Sequence, residues 1–170
     1  MLLGVISDTH DRLPAIRKAV EIFNAANVEA VLHCGDFVAP FAMLPFRDLN
    51  APFHAVFGNN DGEKEGLANL FTANGWSLNQ RPHTFRLNGS TISMLHEPAP
   101  IEGIISSGGS DIVVFGHTHV PFFEMRAGTM VVNPGEGCGW VKKKPTLAIL
   151  DTVQKSCHFE EILVYGDGIK

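Results

Sequence analysis

Short apolar runs, each closed by a small polar cluster, set the rhythm of the first two thirds of the chain. The run from Leu2 to Ser7 has the near-continuous apolar character of a strand covered on both faces. Pro14, at a first helical turn, opens a segment to Ala26 in which Ile16, Ala19, Val20 and Phe23 recur at helical spacing. Ala30 to His33 predicts a second strand. Pro40 precedes a helix containing Ala42 to Phe46, and Phe53 to Phe57 predicts a third strand. Glu63 to Asn74 reads as a helix stopped at Gly75.

Beyond this point β patterns dominate. Thr84 to Leu87 and Thr91 to Leu95 flank Asn88-Gly89, the dipeptide favoured in a two-residue hairpin turn. Ile101 to Ser106 predicts a short helix broken by Gly108-Gly109, and Asp111 to Phe115 another buried strand. Phe122 to Met125, Met130 to Val132, Leu147 to Asp151 and His158 to Val164 read as an antiparallel series. Together these elements predict an α/β chain, with two packed mixed sheets flanked by helices, in one domain over residues 1–170. A Rossmann layout does not fit this order.

The polar clusters stand just past the carboxyl ends of the predicted strands, where open α/β sheets place their ligands. They are Asp8-Thr9-His10, Gly35-Asp36, Gly58-Asn59-Asn60-Asp61, the single His96, and Gly116-His117-Thr118-His119. Asp8 and His10, like His117 and His119, are two residues apart, which on an extended chain turns both side chains to one side. Each cluster has a plainer reading as well. Asp8 could open a helix, Asp36 and Asn59 could be turn residues, and His96 could be a buried histidine with a partner. Two imidazoles in one loop are harder to explain structurally, because histidine is costly to bury unpartnered. Seven oxygen and nitrogen side chains converge: Asp8, His10, Asp36, Asn59, His96, His117 and His119. That donor set suits two divalent ions such as Mn, Zn, Fe, Ni or Co. His33, His54, His83 and His158 lie in or beside strands and read as structural.

Charge narrows the substrate. A net charge of −5 argues against a general binder of nucleic acid or anionic membrane. Two divalent cations facing Asp8, Asp36 and one hydroxide keep a single net positive charge, matching a phosphodiester. Lys142-Lys143-Lys144 is the local basic exception; it reads as a solvated turn, with a phosphate-contacting loop as the other reading. Cys34, Cys138 and Cys157 show no metal-finger or CxxC spacing and read as reduced thiols of a cytoplasmic protein. No secretory leader and no apolar stretch long enough for a membrane span are expected. Phe122 and Phe123 could lie at a contact between copies of the chain or in ordinary core packing.

With these motifs in order from residue 8 to residue 119, the sequence resembles the calcineurin-like metallophosphoesterase superfamily, particularly its small bacterial and archaeal phosphodiesterases. Asn133-Pro134-Gly135 matches a further element of that subfamily. The resemblance implies a β-sandwich flanked by helices, with Asp8, His10 and His119 on one metal and Asn59, His96 and His117 on the other. Asp36 would be the bridge. It also implies hydrolysis by hydroxide generated between two ions, and the expectation for this chain is a Mn²⁺-activated phosphodiesterase acting on a small phosphodiester. A phosphomonoesterase with the same centre is the alternative. A non-catalytic scaffold is a further one, because a retromer subunit in the superfamily keeps the fold and binds partners through its surface; that subunit lacks several histidine ligands, whereas this sequence retains all seven ligand positions.

Three departures stand out. Many larger relatives carry a histidine where this chain has Asn60, and an amide cannot protonate a leaving group. Asp61 keeps the carboxylate of the motif and is expected either to orient a ligand histidine or to cap the following helix. Glu97 and Glu136 replace small residues, and would repel phosphate if they faced inward.

Overall fold

The structure, a computed structural model, describes residues 1–164. The expected domain boundary at 170 lies outside the described residues. Among the described residues, eleven strands form two sheets. In the first half of the chain, β1 (Leu2–Ile6), β2 (Ala30–His33) and β3 (Phe53–Val56) pair in parallel, and β4 (Ser77–Asn79) adds a parallel edge. The connections are α1 (Leu13–Ala25), a 3-10 helix (Pro40–Asp48) and α2 (Lys64–Ala73).

The second sheet begins with a hairpin of β5 (His83–Leu87) and β6 (Ser90–Met94). Asn88 and Gly89 turn it with positive φ at both positions, the conformation that Asn-Gly supplies. The short α3 (Ile101–Ser106) leads to β7 (Ile112–Val114), which lies parallel to β6. After β8 (Pro121–Arg126) come β9 (Thr129–Pro134), β10 (Thr146–Asp151) and β11 (Ser156–Glu161).

These last four strands do not make one antiparallel series. β8 and β9 are antiparallel, but β9 also runs parallel to β7 in the second sheet. β10 and β11 cross to the first sheet, where β10 lies antiparallel to β1. Local pattern could find the strands, but pairing across the chain decided their sheets.

Three apolar layers follow from the strand faces. Leu3, Val5, Leu32, Val56, Ile92, Met94, Val114 and Val132 fill the space between the sheets. Ile6 and Val31 point the other way, onto Ile16, Phe23, Phe46 and Phe71 of the helical layer. Leu95, Val113, Phe115 and Val131 meet Ile101 of α3 on the far side. The fold is therefore two mixed sheets flanked by helices, as the hydrophobic pattern predicts. Both faces of β1 and β2 are covered, which explains their nearly unbroken apolar runs.

Two elements differ from expectation for local reasons. The helix after Pro40 is 3-10 throughout. Pro45 lacks an N–H and its ring opposes the preceding turn, so an α ladder cannot run through it. β4 was not anticipated, because Ser77-Leu78-Asn79 is too short and too polar to announce an edge strand. Phe122 and Phe123 are half-buried, the first against the α3 layer and the second against the inter-sheet core. Core packing thus accounts for the buried part of both side chains.

Candidate metal centre

Five strands deliver the polar clusters to one end of the sandwich. Asp8 and His10 follow β1, Asp36 follows β2 and Asn59 follows β3. His96 follows β6, and His117 and His119 follow β7. The loops lock to one another through the backbone. Asp8 N donates to the Gly35 carbonyl at 3.0 Å, His10 N to that of Asp36 at 3.1 Å, and Gly116 N to that of His96 at 3.0 Å. A Cβ on Gly116 would stand 2.7 Å from Asp8 Oδ2, so only glycine lets the His117 loop close onto the first strand.

The i, i+2 pairs do face common partners, but not by extended geometry. Asp8, His10, His117 and His119 all have positive φ, of 53°, 37°, 66° and 59°. Side chains other than glycine rarely adopt this region, and such strain concentrates at functional sites. The interlocking loop bonds hold it in place.

All seven predicted donors are brought together. His119 Nε2 lies 3.2 Å from Asp8 Oδ1, and His10 Nε2 lies 3.8 Å from the same oxygen. His96 Nε2 is 3.4 Å and His10 Nε2 3.8 Å from Asp36 Oδ2, which therefore faces both halves of the cluster. Asn59 Oδ1 lies 2.9 Å from His96 Nε2 and 3.0 Å from His117 Nδ1. Two triads have donor atoms close enough to share an ion: Asp8, His10 and His119, and Asp8, Asp36 and His96.

The fit to a cation can be tested on the atoms themselves. Among the described residues, two buried side-chain polar atoms have no hydrogen-bond partner: Asp8 Oδ1 and His10 Nε2. Both belong to the first triad, and leaving such atoms bare costs on the order of 1–3 kcal/mol each. A carboxylate oxygen and an imidazole nitrogen orphaned side by side are what a metal ion would satisfy. The donor set fits.

Charge around the cluster is tightly held. Burial pushes the Asp8 carboxyl up, but the adjacent His119 imidazole, Ser7 and the His96 charge outweigh it and keep it below the ordinary range. Burial likewise opposes ionisation of Asp36, yet His96 and Asn60 bring it well below the usual carboxylate value. On protein charges alone, the Asp8 carboxylate facing Nε2, and then Glu136 at Nδ1, lift His119 to about 9. A cation taken up here must displace that proton.

Glu136 is the residue whose role was not legible in the sequence. It follows β9, is fully buried, and its Oε2 lies 2.7 Å from His119 Nδ1. The same carboxylate accepts from Val141 N at 3.1 Å and from Lys142 N. An acceptor on Nδ1 fixes the proton there and turns the Nε2 lone pair toward Asp8 and His10. It points at an imidazole and is buried, not facing outward. Glu97 is likewise neutralised, by a two-pronged pair with Arg81 at 2.6 and 2.7 Å. The advance signal for Glu136 was its place directly after Asn133-Pro134-Gly135, where it replaces a small residue, but nothing in that pattern pointed to His119.

Among the described residues, Asp61 makes no hydrogen bond to a histidine and supplies no cap bond to α2. Its carboxylate accepts from the backbone N–H groups of Asp36, Val38 and Gly58, tying the second and third loops together. α2 has Glu63 at its cap position, without a side-chain cap bond. Burial raises the Asp61 carboxyl despite these three bonds. Asn60 is exposed and donates to both oxygens of Asp36, from its backbone N at 2.8 Å and from Nδ2 at 2.6 Å.

The remaining histidines stay outside the cluster. His33 Nδ1 accepts from Gly35 N at 3.2 Å, so its Nε2 donates to Thr9 Oγ1 at 3.1 Å. His54 and His83 stack on Phe85, and the exposed His158 pairs with Glu160. No cysteine among Cys34, Cys138 and Cys157 forms a disulfide.

The sequence pattern of the calcineurin-like phosphoesterase superfamily domain matches residues 1–155. The chain belongs to this superfamily. Among calcineurin-like relatives, a protein named phosphodiesterase MJ0936 from Methanocaldococcus jannaschii is 43% identical over 171 residues, covering 96% of this chain and 99% of its own length. Phosphodiesterase YfcE of Escherichia coli is 28% identical over 79% of the chain and 78% of its own. A solved structure of a novel archaeal phosphodiesterase superposes with a TM-score of 0.89 at 42% identity, over 95% of this chain and 99% of that one. Vps29 from Entamoeba histolytica, solved with Zn²⁺, shares the fold at a TM-score of 0.67 and 19% identity, over 96% of this chain and all of that one. Membership of this calcineurin-like superfamily agrees with the hydrolase of phosphoric esters expected from the motifs. No helix among the described residues is long and apolar enough to cross a membrane.

Proposed function

We propose that the chain is a two-metal phosphodiesterase, Mn²⁺-activated, that hydrolyses a small phosphodiester in the cytoplasm. The observation that carries this reading is the orphaned pair Asp8 Oδ1 and His10 Nε2, set inside two adjoining donor triads. Asp8, His10 and His119 would hold one ion, Asn59, His96 and His117 the other, and Asp36, facing both halves, would join them. Bound there, the ions supply Lewis acidity, activate water near neutral pH and stabilise charge on the phosphoryl oxygens.

The chain's own residues set the rest. Glu136 holds the His119 ring so that Nε2 is free to ligate, and Asp61 fixes the backbone on which Asp36 and Asn59 stand. Asn60 can donate a hydrogen bond near Asp36 but has no proton to give a departing alkoxide. Esters with an acidic aryl alcohol, which leave unprotonated, are therefore favoured over alkyl esters. The net charge of −5 and the clustered metal donors favour a small anionic substrate over nucleic acid or a membrane surface.

Turnover of bis(4-nitrophenyl) phosphate, 4-nitrophenyl phosphate and a dialkyl phosphate with Mn²⁺ tests the reading. The aryl diester should be hydrolysed fastest and the dialkyl ester slowest. Asp36→Asn should reduce aryl diester turnover by more than the roughly 10–100-fold cost of losing a supporting carboxylate. A strong monoester preference would instead make the protein a phosphomonoesterase with the same centre. No metal-dependent turnover of any of the three esters would favour the scaffold alternative, and wild-type metal content and activity in the Asp36→Asn variant would remove Asp36 from the centre.

A further inference from the structure

The loop beyond Glu136 presents chemistry that ester hydrolysis alone does not use. Trp140 and Val141 are 53% and 62% exposed, and Lys142, Lys143 and Lys144 follow, all exposed. An isolated exposed apolar side chain needs no explanation. Trp140 differs because it is fixed in place beside the donor cluster. Its indole Nε1 donates to the His10 carbonyl at 3.3 Å, and the Arg12 guanidinium lies over the ring, 5.3 Å from its centroid. Arg12 also donates to the Cys138 carbonyl, just before the loop.

The backbone beneath is held as well. Val141 N and Lys142 N both donate to the Glu136 carboxylate, which itself meets His119. The indole is thus connected to two of the proposed metal ligands, through the His10 carbonyl and through Glu136. Half of its surface still faces solvent. With Glu97 paired to Arg81 and Glu136 buried, the exposed charges of this loop are the three lysines. A flat, electron-rich surface next to cations, at the rim of a phosphoester site, suits an anion carrying an aromatic ring.

We propose that Trp140 is a stacking platform that selects phosphodiesters bearing a flat aromatic group beside the phosphate, with Lys142 to Lys144 attracting the anion. The inference rests on the phosphoesterase reading and adds the substrate class. Arg12 on one face keeps the indole from turning, so a substrate ring meets a surface already oriented and loses little entropy on binding.

Titration calorimetry of the Mn²⁺-loaded protein with phenylphosphonate and methylphosphonate tests it. The wild type should bind phenylphosphonate about tenfold more tightly, as one stacked ring contributes. Trp140→Ala should abolish that preference while leaving the methylphosphonate Kd within about twofold, and Trp140→Phe should retain most of it. Phenylphosphonate, but not methylphosphonate, should quench wild-type tryptophan emission, a readout that survives if the alanine variant fails to fold. An unchanged phenyl preference in a folded Trp140→Ala protein, or equal quenching by both ligands, would overturn the platform. If neither phosphonate bound, the phosphoester reading itself would fail and this inference with it.

Discussion

At His119 two carboxylates share one imidazole: Asp8 faces Nε2 and Glu136 faces Nδ1. Glu136→Gln puts this arrangement to the test, because an amide cannot satisfy both sides. If its oxygen keeps the Val141 and Lys142 N–H groups, its NH₂ faces Nδ1 and drives the proton to Nε2, the proposed ligand atom. If it turns over, two donors confront the backbone N–H groups. Either way metal affinity measured by calorimetry should weaken by about 10–100-fold. Wild-type affinity would remove Glu136 from the site.

His33 makes a second prediction at this scale. Burial pushes its imidazole down to about 3 from an ordinary 6.5. The unfolded chain gains a proton as pH falls through 6.5, whereas the folded chain resists until about 3, so stability declines with falling pH across that window. The slope is at most about 1.4 kcal/mol per pH unit for this group. Urea midpoints measured in EDTA should show a shallower decline for His33→Gln than for wild type. Equal slopes would mean that His33 titrates normally.

Among the elements, what could be read from the sequence depended on how local each determinant is. Strands β1, β2, β3 and β7 announced themselves because both their faces are buried. The hairpin was visible because its turn is specified by Asn88 and Gly89 themselves. The sheet to which β9 belongs was not visible, since its partner β7 lies in an earlier segment and β10 leaves for the other sheet. That same parallel pairing carries Glu136 to the cluster, so one missed register hid one site residue. Gly116→Ala isolates the fit between loops: the added methyl would press on Ser7 and Asp8. Overpacking of this kind costs about 1–3 kcal/mol. Denaturant unfolding should show that loss, with weakened metal binding because Asp8 must move; normal stability and affinity would mean that the loops yield freely.

For the whole molecule, the ligand motifs were legible because each ends a strand and carries its own glycine or paired histidine. What sequence could not give was the reason for their convergence. Two parallel sets of strands, β1–β2–β3 and β6–β7–β9, open onto the same end of the sandwich. The left-handed backbone at Asp8, His10, His117 and His119 was equally hidden, because it is imposed by neighbouring loops and not by the residues themselves. The fold therefore spends strain and leaves two buried polar atoms bare at one place.

The most direct test of that place is a count of ions in crystals grown with saturating Mn²⁺, by anomalous scattering at the metal edge. The account predicts two peaks per chain, one among Asp8, His10 and His119 and one among Asn59, His96 and His117, with Asp36 between them. A single peak, or none, at full loading would contradict it.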